Sequence, residues 1–166
     1  VAGLLWLVAG GSALALRSED SQWADTTSTG IFQIRSEYSL SDGDSRNLIK
    51  QINQLQSDVQ EMLNLEPSEQ AVEISLFRNK SSYQSHLAQR VPEGMNRPAL
   101  FVQGTDMGRV YVYKRWGFDT DLRHESTHAV LHNALPYVPM WLDEGLAEYF
   151  EVPANKRSSE NPHLSS

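Results

Sequence analysis

No cysteine occurs in the 166 residues. Disulfides, thiolate nucleophiles and cysteine-based metal sites are therefore excluded together, and imidazole and carboxylate remain as the strong metal ligands. Positive charge is also scarce, with 14 Lys and Arg against 21 Asp and Glu and a formal net charge of -7. No segment gathers the basic cluster that a phosphate backbone requires, so the sequence speaks against a nucleic-acid partner and equally against an anionic membrane surface. Internal repeats and low-complexity tracts are absent. What is present, 40% hydrophobic and 21% charged residues, is the composition of an ordinary globular domain, and the length suits one such domain rather than two.

One long apolar run exists, Val1 to Leu16 (VAGLLWLVAGGSALAL), and it breaks sharply into Arg17-Ser18-Glu19-Asp20. Its length fits the apolar region of an export signal and is short for a spanning helix, and Ala13-Leu14-Ala15 offers a small-residue cleavage pattern. With no initiator Met and no basic leader, the run is expected to continue a longer reading frame, so signal peptide and membrane anchor both stand. Either way the protein is expected to be exported, to the periplasm, the cell envelope or the medium. The expected organisation is residues 1–17 as signal or anchor, 18–29 as a Ser/Thr-rich linker, 30–152 as one folded domain and 153–166 as a polar, truncated tail in which His163 is solvent-exposed.

Within the domain, Gly30 to Tyr38 alternates Ile31, Gln33 and Arg35 against Phe32, Ile34 and Ser36, which predicts a strand. Ser41-Asp42-Gly43-Asp44 then supplies caps for a helix whose Leu48, Ile52, Leu55, Val59 and Met62 form one apolar stripe. That stripe lasts barely two heptads, too short for a coiled coil, so it is expected to pack on a sheet. Oligomeric state is otherwise not encoded. Val72 to Phe77 reads as a strand, Ser81 to Gln89 as a short helix with Tyr83 and Leu87 inside and His86 exposed. Ala99 to Gln103 and Gly108 to Lys114 have the spacing of a hairpin across Gly104 to Met107, with Val110 and Val112 on one face and Tyr111 and Tyr113 on the other. The order of elements predicts an α+β domain.

The chemistry concentrates in His124-Glu125-Ser126-Thr127-His128. Asp119 or Thr120 can cap a helix from about residue 121 to 134, closed by Leu135-Pro136. On that helix the two imidazoles, four residues apart, share a face and can reach one metal ion with Glu125 beside them. Chance alone yields this pattern in about one per cent of chains of this length and composition, so its surroundings decide. Zinc so held would bring a water's pKa toward about 7 for Glu125 to deprotonate as general base. A third ligand is needed. His132 lies about 12 Å along the axis from His124 and about 80° round from it, out of reach of the same ion. The stronger candidate follows the turn Pro136 to Pro139, where Pro139 can open a helix Met140 to Glu151 at its first position. Glu144 and Glu148 share one face of that helix, and a short connection makes the two helices antiparallel neighbours. Gly145, at a cost of about 1 kcal/mol inside a helix, is expected to permit their close approach.

The pair of motifs, His124-Glu125-x-x-His128 and then Pro139-Met140-Trp141-Leu142-Asp143-Glu144-Gly145-Leu146-Ala147-Glu148-Tyr149, resembles the gluzincin metallopeptidases, in particular small bacterial peptidase-MA-like proteins of unassigned function. The resemblance implies a zincin-like α+β fold, a small mixed sheet whose edge strand lies over the motif helix. It implies His124, His128 and Glu144 as Zn2+ ligands, Glu125 as catalytic base, and Glu148 as the acid that orients a ligand histidine. Gly108 to Lys114 would be the edge along which a peptide or protein substrate lies. The free-amine recognition motif of the aminopeptidase branch is absent, so exopeptidase specificity is unsupported. Tyr137, Tyr149, Tyr113 and Tyr111 all remain open as the donor to the developing oxyanion. The rivals are a zinc-binding domain without turnover and a membrane-anchored interaction domain.

Overall fold

The computed structural model describes residues 22–157. Its centre is a five-stranded mixed sheet in the order β1-β2-β3-β5-β4, accompanied among the described residues by four α-helices. Strand β1 (Asp25–Thr29) and strand β2 (Phe32–Ser36) form an antiparallel hairpin with Thr29 opposite Phe32. The two-residue turn between them needs Gly30 at φ +53°, the left-handed region in which a side chain is disfavoured. β1 lies in the stretch expected to be linker. Its sequence DTTST carries no apolar alternation because it is a half-exposed edge strand, so the usual signal for a strand is missing.

Helix α1 (Asp42–Leu63) begins where Ser41 accepts a hydrogen bond from the Asp44 N–H at 3.1 Å. It ends at Asn64, whose left-handed backbone lets its N–H reach the carbonyls of Gln60 and Glu61. Leu48, Ile52, Leu55 and Val59 are buried as the stripe predicts, whereas Met62 is 54% exposed. The stripe drifts round the helix, and its last member overruns the sheet. Strand β3 (Val72–Phe77) pairs in parallel with β2 on one side and with β5 (Gly108–Tyr113) on the other. Helix α2 (Lys80–Ala88) follows β3, and strand β4 (Ala99–Gln103) closes the sheet antiparallel to β5.

The sheet divides two apolar clusters. Phe32, Ile34, Val72, Ile74, Leu76, Val110 and Val112 face the larger one with residues of α1 and of the two C-terminal helices. Phe77, Leu100 and Tyr111 face the smaller one with Tyr83 and Leu87 of α2. The expected division of Val110 and Val112 from Tyr111 and Tyr113 is therefore observed. His86 is not exposed as expected but 7% accessible, enclosed by the rings of Trp23, Phe77 and Tyr111.

Helix α3 (Phe118–Ala134) starts three residues earlier than predicted, on Gly117 at φ +87°, and Asp119 and Asp121 occupy its first turn instead of capping it. Their charges still suit the positive end of the helix. Helix α4 (Met140–Glu151) begins with Pro139 just outside the first turn rather than within it. α3 packs against β4 and β5 on one side and α4 on the other. Gly145 does not serve that contact: a Cβ built there meets nothing within 4 Å. The edge strand is also reassigned. β5 is paired on both sides, so the free edge beside α3 belongs to β4.

No helix of the described residues is long and apolar enough to cross a membrane. Residues 1–17, read as signal or anchor, and His163 lie outside the described residues.

Candidate metal centre

α3 and α4 run antiparallel, so residues early in one face residues late in the other. On α3, the helical repeat sets His124 and His128 side by side, with Nε2 atoms 3.2 Å apart. From α4, Glu144 brings one carboxylate oxygen to 3.7 Å from His124 Nε2 and the other to 3.9 Å from His128 Nε2. These three residues could hold a metal ion. For metal–ligand bonds of about 2.1 Å, the ligand atoms of a tetrahedral shell stand about 3.4 Å apart. The Nε2 atoms stand at nearly that separation, and each Glu144 oxygen comes within half an ångström of it from one imidazole. Glu144 is 57% exposed at its side chain, which leaves one side of the site open to solvent.

The outer nitrogens fix what the inner ones can do. His124 Nδ1 lies 2.8 Å from Glu151 Oε2, and His128 Nδ1 lies 2.8 Å from Asp143 Oδ1. A carboxylate accepts, so each Nδ1 carries the proton and each Nε2 is left with a lone pair. With both imidazoles neutral, two lone pairs and a carboxylate thus converge on one point, an arrangement that a bound cation relieves. That electrostatic conflict is the property of the chain that fits a metal.

Glu148, expected to orient a ligand histidine, is exposed. The acids at hydrogen-bond distance from the two imidazoles are Glu151 and Asp143. A signal for Glu151 is present in the sequence: seven residues beyond Glu144 is about 20° off its line on a helix, closer than the about 40° of the residue four beyond. Asp143 carries no such signal, because adjacent residues on a helix point about 100° apart and the spacing within α4 directs it away from Glu144. His132, out of reach of an ion at His124, holds the second oxygen of Asp143 at 2.9 Å.

Arg123, also missed, is only 4% accessible. Its guanidinium donates to the carbonyl of Phe150 at 2.8 and 3.1 Å and to that of Glu151 at 3.1 Å. These are the unpaired carbonyls at the end of α4. By tying that end to α3 one residue before His124, Arg123 brings the Glu151 side chain within reach of His124. Burial lowers the pKa of the guanidinium, and the nearby charge of Arg157 lowers it further.

Glu125 is half-buried and accepts the backbone N–H of Phe101. Burial pushes its pKa up, opposed in part by the neighbouring His128 and His124 and by the Phe101 N–H. Phe101 also lays its ring over His128 at 6.4 Å and 17° and over His132 at 5.6 Å and 34°. Asp143 moves the other way. Its partial burial raises the pKa, but hydrogen bonds from His132 and His128 outweigh that and leave it below the usual carboxylate value.

The free edge of β4 adjoins this site. The Gly104 N–H bonds to the Met107 carbonyl at 3.1 Å, and alternation from there turns the backbone groups of Val102 and Leu100 toward β5. Those of Ala99, Phe101 and Gln103 face outward. Of the four tyrosines considered as donors, Tyr111 is buried on the far side of the sheet and Tyr113 packs there on Tyr83 at 5.1 Å. Tyr137 and Tyr149 are exposed on the side of α4.

Neither protein-family models nor curated protein sequences match this chain. Fold and site together define a mixed α+β protein with a His-His-Glu group suited to a metal ion.

Proposed function

We propose that the chain is an exported, zinc-dependent peptidase with a zincin-like fold of the gluzincin type. The observation that carries this reading is the convergence of His124 Nε2, His128 Nε2 and the Glu144 carboxylate within 3.2 to 3.9 Å of one another, with Glu125 near enough to be influenced by both imidazoles. Two imidazoles and one carboxylate with an open fourth side is a donor set zinc accepts in hydrolytic sites. Bound there, zinc supplies a Lewis acid that brings a water's pKa toward neutrality.

The chain's own residues do the rest. Glu125, its pKa raised by burial, takes the proton from the attacking water and returns it to the leaving amine. The Phe101 N–H holds one side of that carboxylate in place. A substrate peptide adds to the outward Phe101 carbonyl and the outward backbone groups of Gln103 as an extra strand, the Phe101 N–H being held by Glu125, which brings a carbonyl alongside the imidazoles. Glu151 and Asp143 keep the ligand nitrogens deprotonated and aimed. Tyr137 and Tyr149 remain as the donors to the developing oxyanion.

The test is metal content and hydrolysis of a denatured protein mixture for the protein and its Glu125→Gln variant. The reading expects about one zinc per chain in both and hydrolysis only in the first. Zinc without hydrolysis in either would overturn the peptidase in favour of a non-catalytic metal domain, and no zinc in either would overturn the site itself.

A further inference from the structure

Asp143 is shared between two imidazoles. One oxygen meets His128 Nδ1 at 2.8 Å and the other meets His132 Nε2 at 2.9 Å. The two histidines are one helical turn apart, and the Phe101 ring covers both. Held by His128 alone, a carboxylate on a rotatable stem has a second oxygen free to swing into the solvent or toward the open metal side. Held at both oxygens, its plane is fixed. His132 is 30% exposed at its side chain, so its Nε2 is spent on this bond although water is within reach.

From this geometry we infer that His132 is a positioning residue for the metal centre: it acts through Asp143 to hold the ligand His128 with Nδ1 protonated and Nε2 directed at the ion. The inference rests on the zinc reading of His124, His128 and Glu144 and extends it to a relay His132–Asp143–His128 anchored under the edge strand. His128, His132 and Asp143 could also form a cation site of their own, with ligand atoms within 4.8 Å of one another. The distances favour the relay. Each contact pairs one nitrogen with a different oxygen at hydrogen-bond length, below the about 3.4 Å that separates neighbouring ligands of one tetrahedral ion. In the relay both imidazoles donate to Asp143, and every polar atom of the three side chains on this side is used.

The experiment is a zinc titration with a competing chelator on the full chain and on the variants His132→Ala and His132→Gln. Metal-free unfolding is measured alongside, and the visible absorption of the cobalt-loaded proteins is recorded. Gln can present an N–H near the position of His Nε2. The relay predicts zinc about tenfold weaker in His132→Ala, the lower end of what losing an outer partner costs, with an altered cobalt spectrum. His132→Gln should recover most of the affinity, and the metal-free stabilities should differ little. Equal affinity in all three overturns the relay while leaving the zinc site intact. A second equivalent of zinc that disappears in His132→Ala overturns it in favour of the separate cation site. If the unaltered protein takes up no zinc, the zinc reading and the relay fall together. Should His132→Ala not fold, His132→Leu takes its place beside His132→Gln: weaker zinc in Leu with recovery in Gln supports the relay, and equal affinity in the two overturns it.

Discussion

Replacing Gly145 by Ala should stabilise the protein. The position lies in the interior of α4 and is exposed. Its φ is not in the positive range, and a Cβ there meets nothing within 4 Å. No steric term opposes the change. What remains is the difference in helix propensity, about 0.8–1 kcal/mol in favour of Ala, part of which comes from the reduced freedom of the unfolded chain. For a chain of this size that corresponds to a rise of about 2–4 °C in Tm. Had the glycine been needed for close approach of α3 and α4, as the sequence suggests, the added methyl would overpack the contact and destabilise by about 1–3 kcal/mol. The two accounts thus differ in sign. Urea unfolding of metal-free protein, followed by circular dichroism at neutral pH, distinguishes them. A fall in the midpoint at unchanged m-value would refute the placement of Gly145 on the open face.

Glu151→Gln and Glu148→Gln should behave differently despite their like chemistry: the first weakens zinc binding about 10–100-fold by releasing His124, and the second leaves a chelator titration unchanged. Arg123→Ala strips the end of α4 of its donor and opens buried space; it should cost about 3 kcal/mol in denaturant unfolding, and a loss under 1 kcal/mol would contradict the capping role. Asp106 should titrate far below an ordinary aspartate. Its carboxylate is held by the Arg109 guanidinium at 2.7 and 3.1 Å, which draws the pKa down to about 2. A folded-state value below the unfolded one means that the pair supports the β4–β5 turn above about pH 4. That support fades as pH falls through about 2. Carboxyl-carbon NMR reads the midpoint directly, and in Arg109→Gln it should return toward 3.8.

Some of this architecture follows from local pattern. The apolar stripe of α1 and its Ser41 cap emerge from spacing because both depend on residues within a few turns. The four-residue connection between β4 and β5 emerges for the same reason. β1 does not, because a polar edge strand is held by backbone pairing to β2 and its side chains carry no trace of it. The burial of His86 likewise depends on Trp23, Phe77 and Tyr111, which come from three separate parts of the chain.

The same division runs through the candidate metal centre. His124 and His128 lie together, with Glu125 beside them, because the helical repeat is a local property, so their sequence alone determined that the two imidazoles share one face. Glu144 could be nominated from its own helix but not placed. The antiparallel offset of α3 and α4 decided the rest, setting Glu151 rather than Glu148 on His124 and joining Asp143 to both His128 and His132. Sheet order likewise decided that the open edge beside the imidazoles is β4. Each of these depends on how far one element slides and turns against another, a quantity set by the summed packing of the whole core and written in no single stretch of residues.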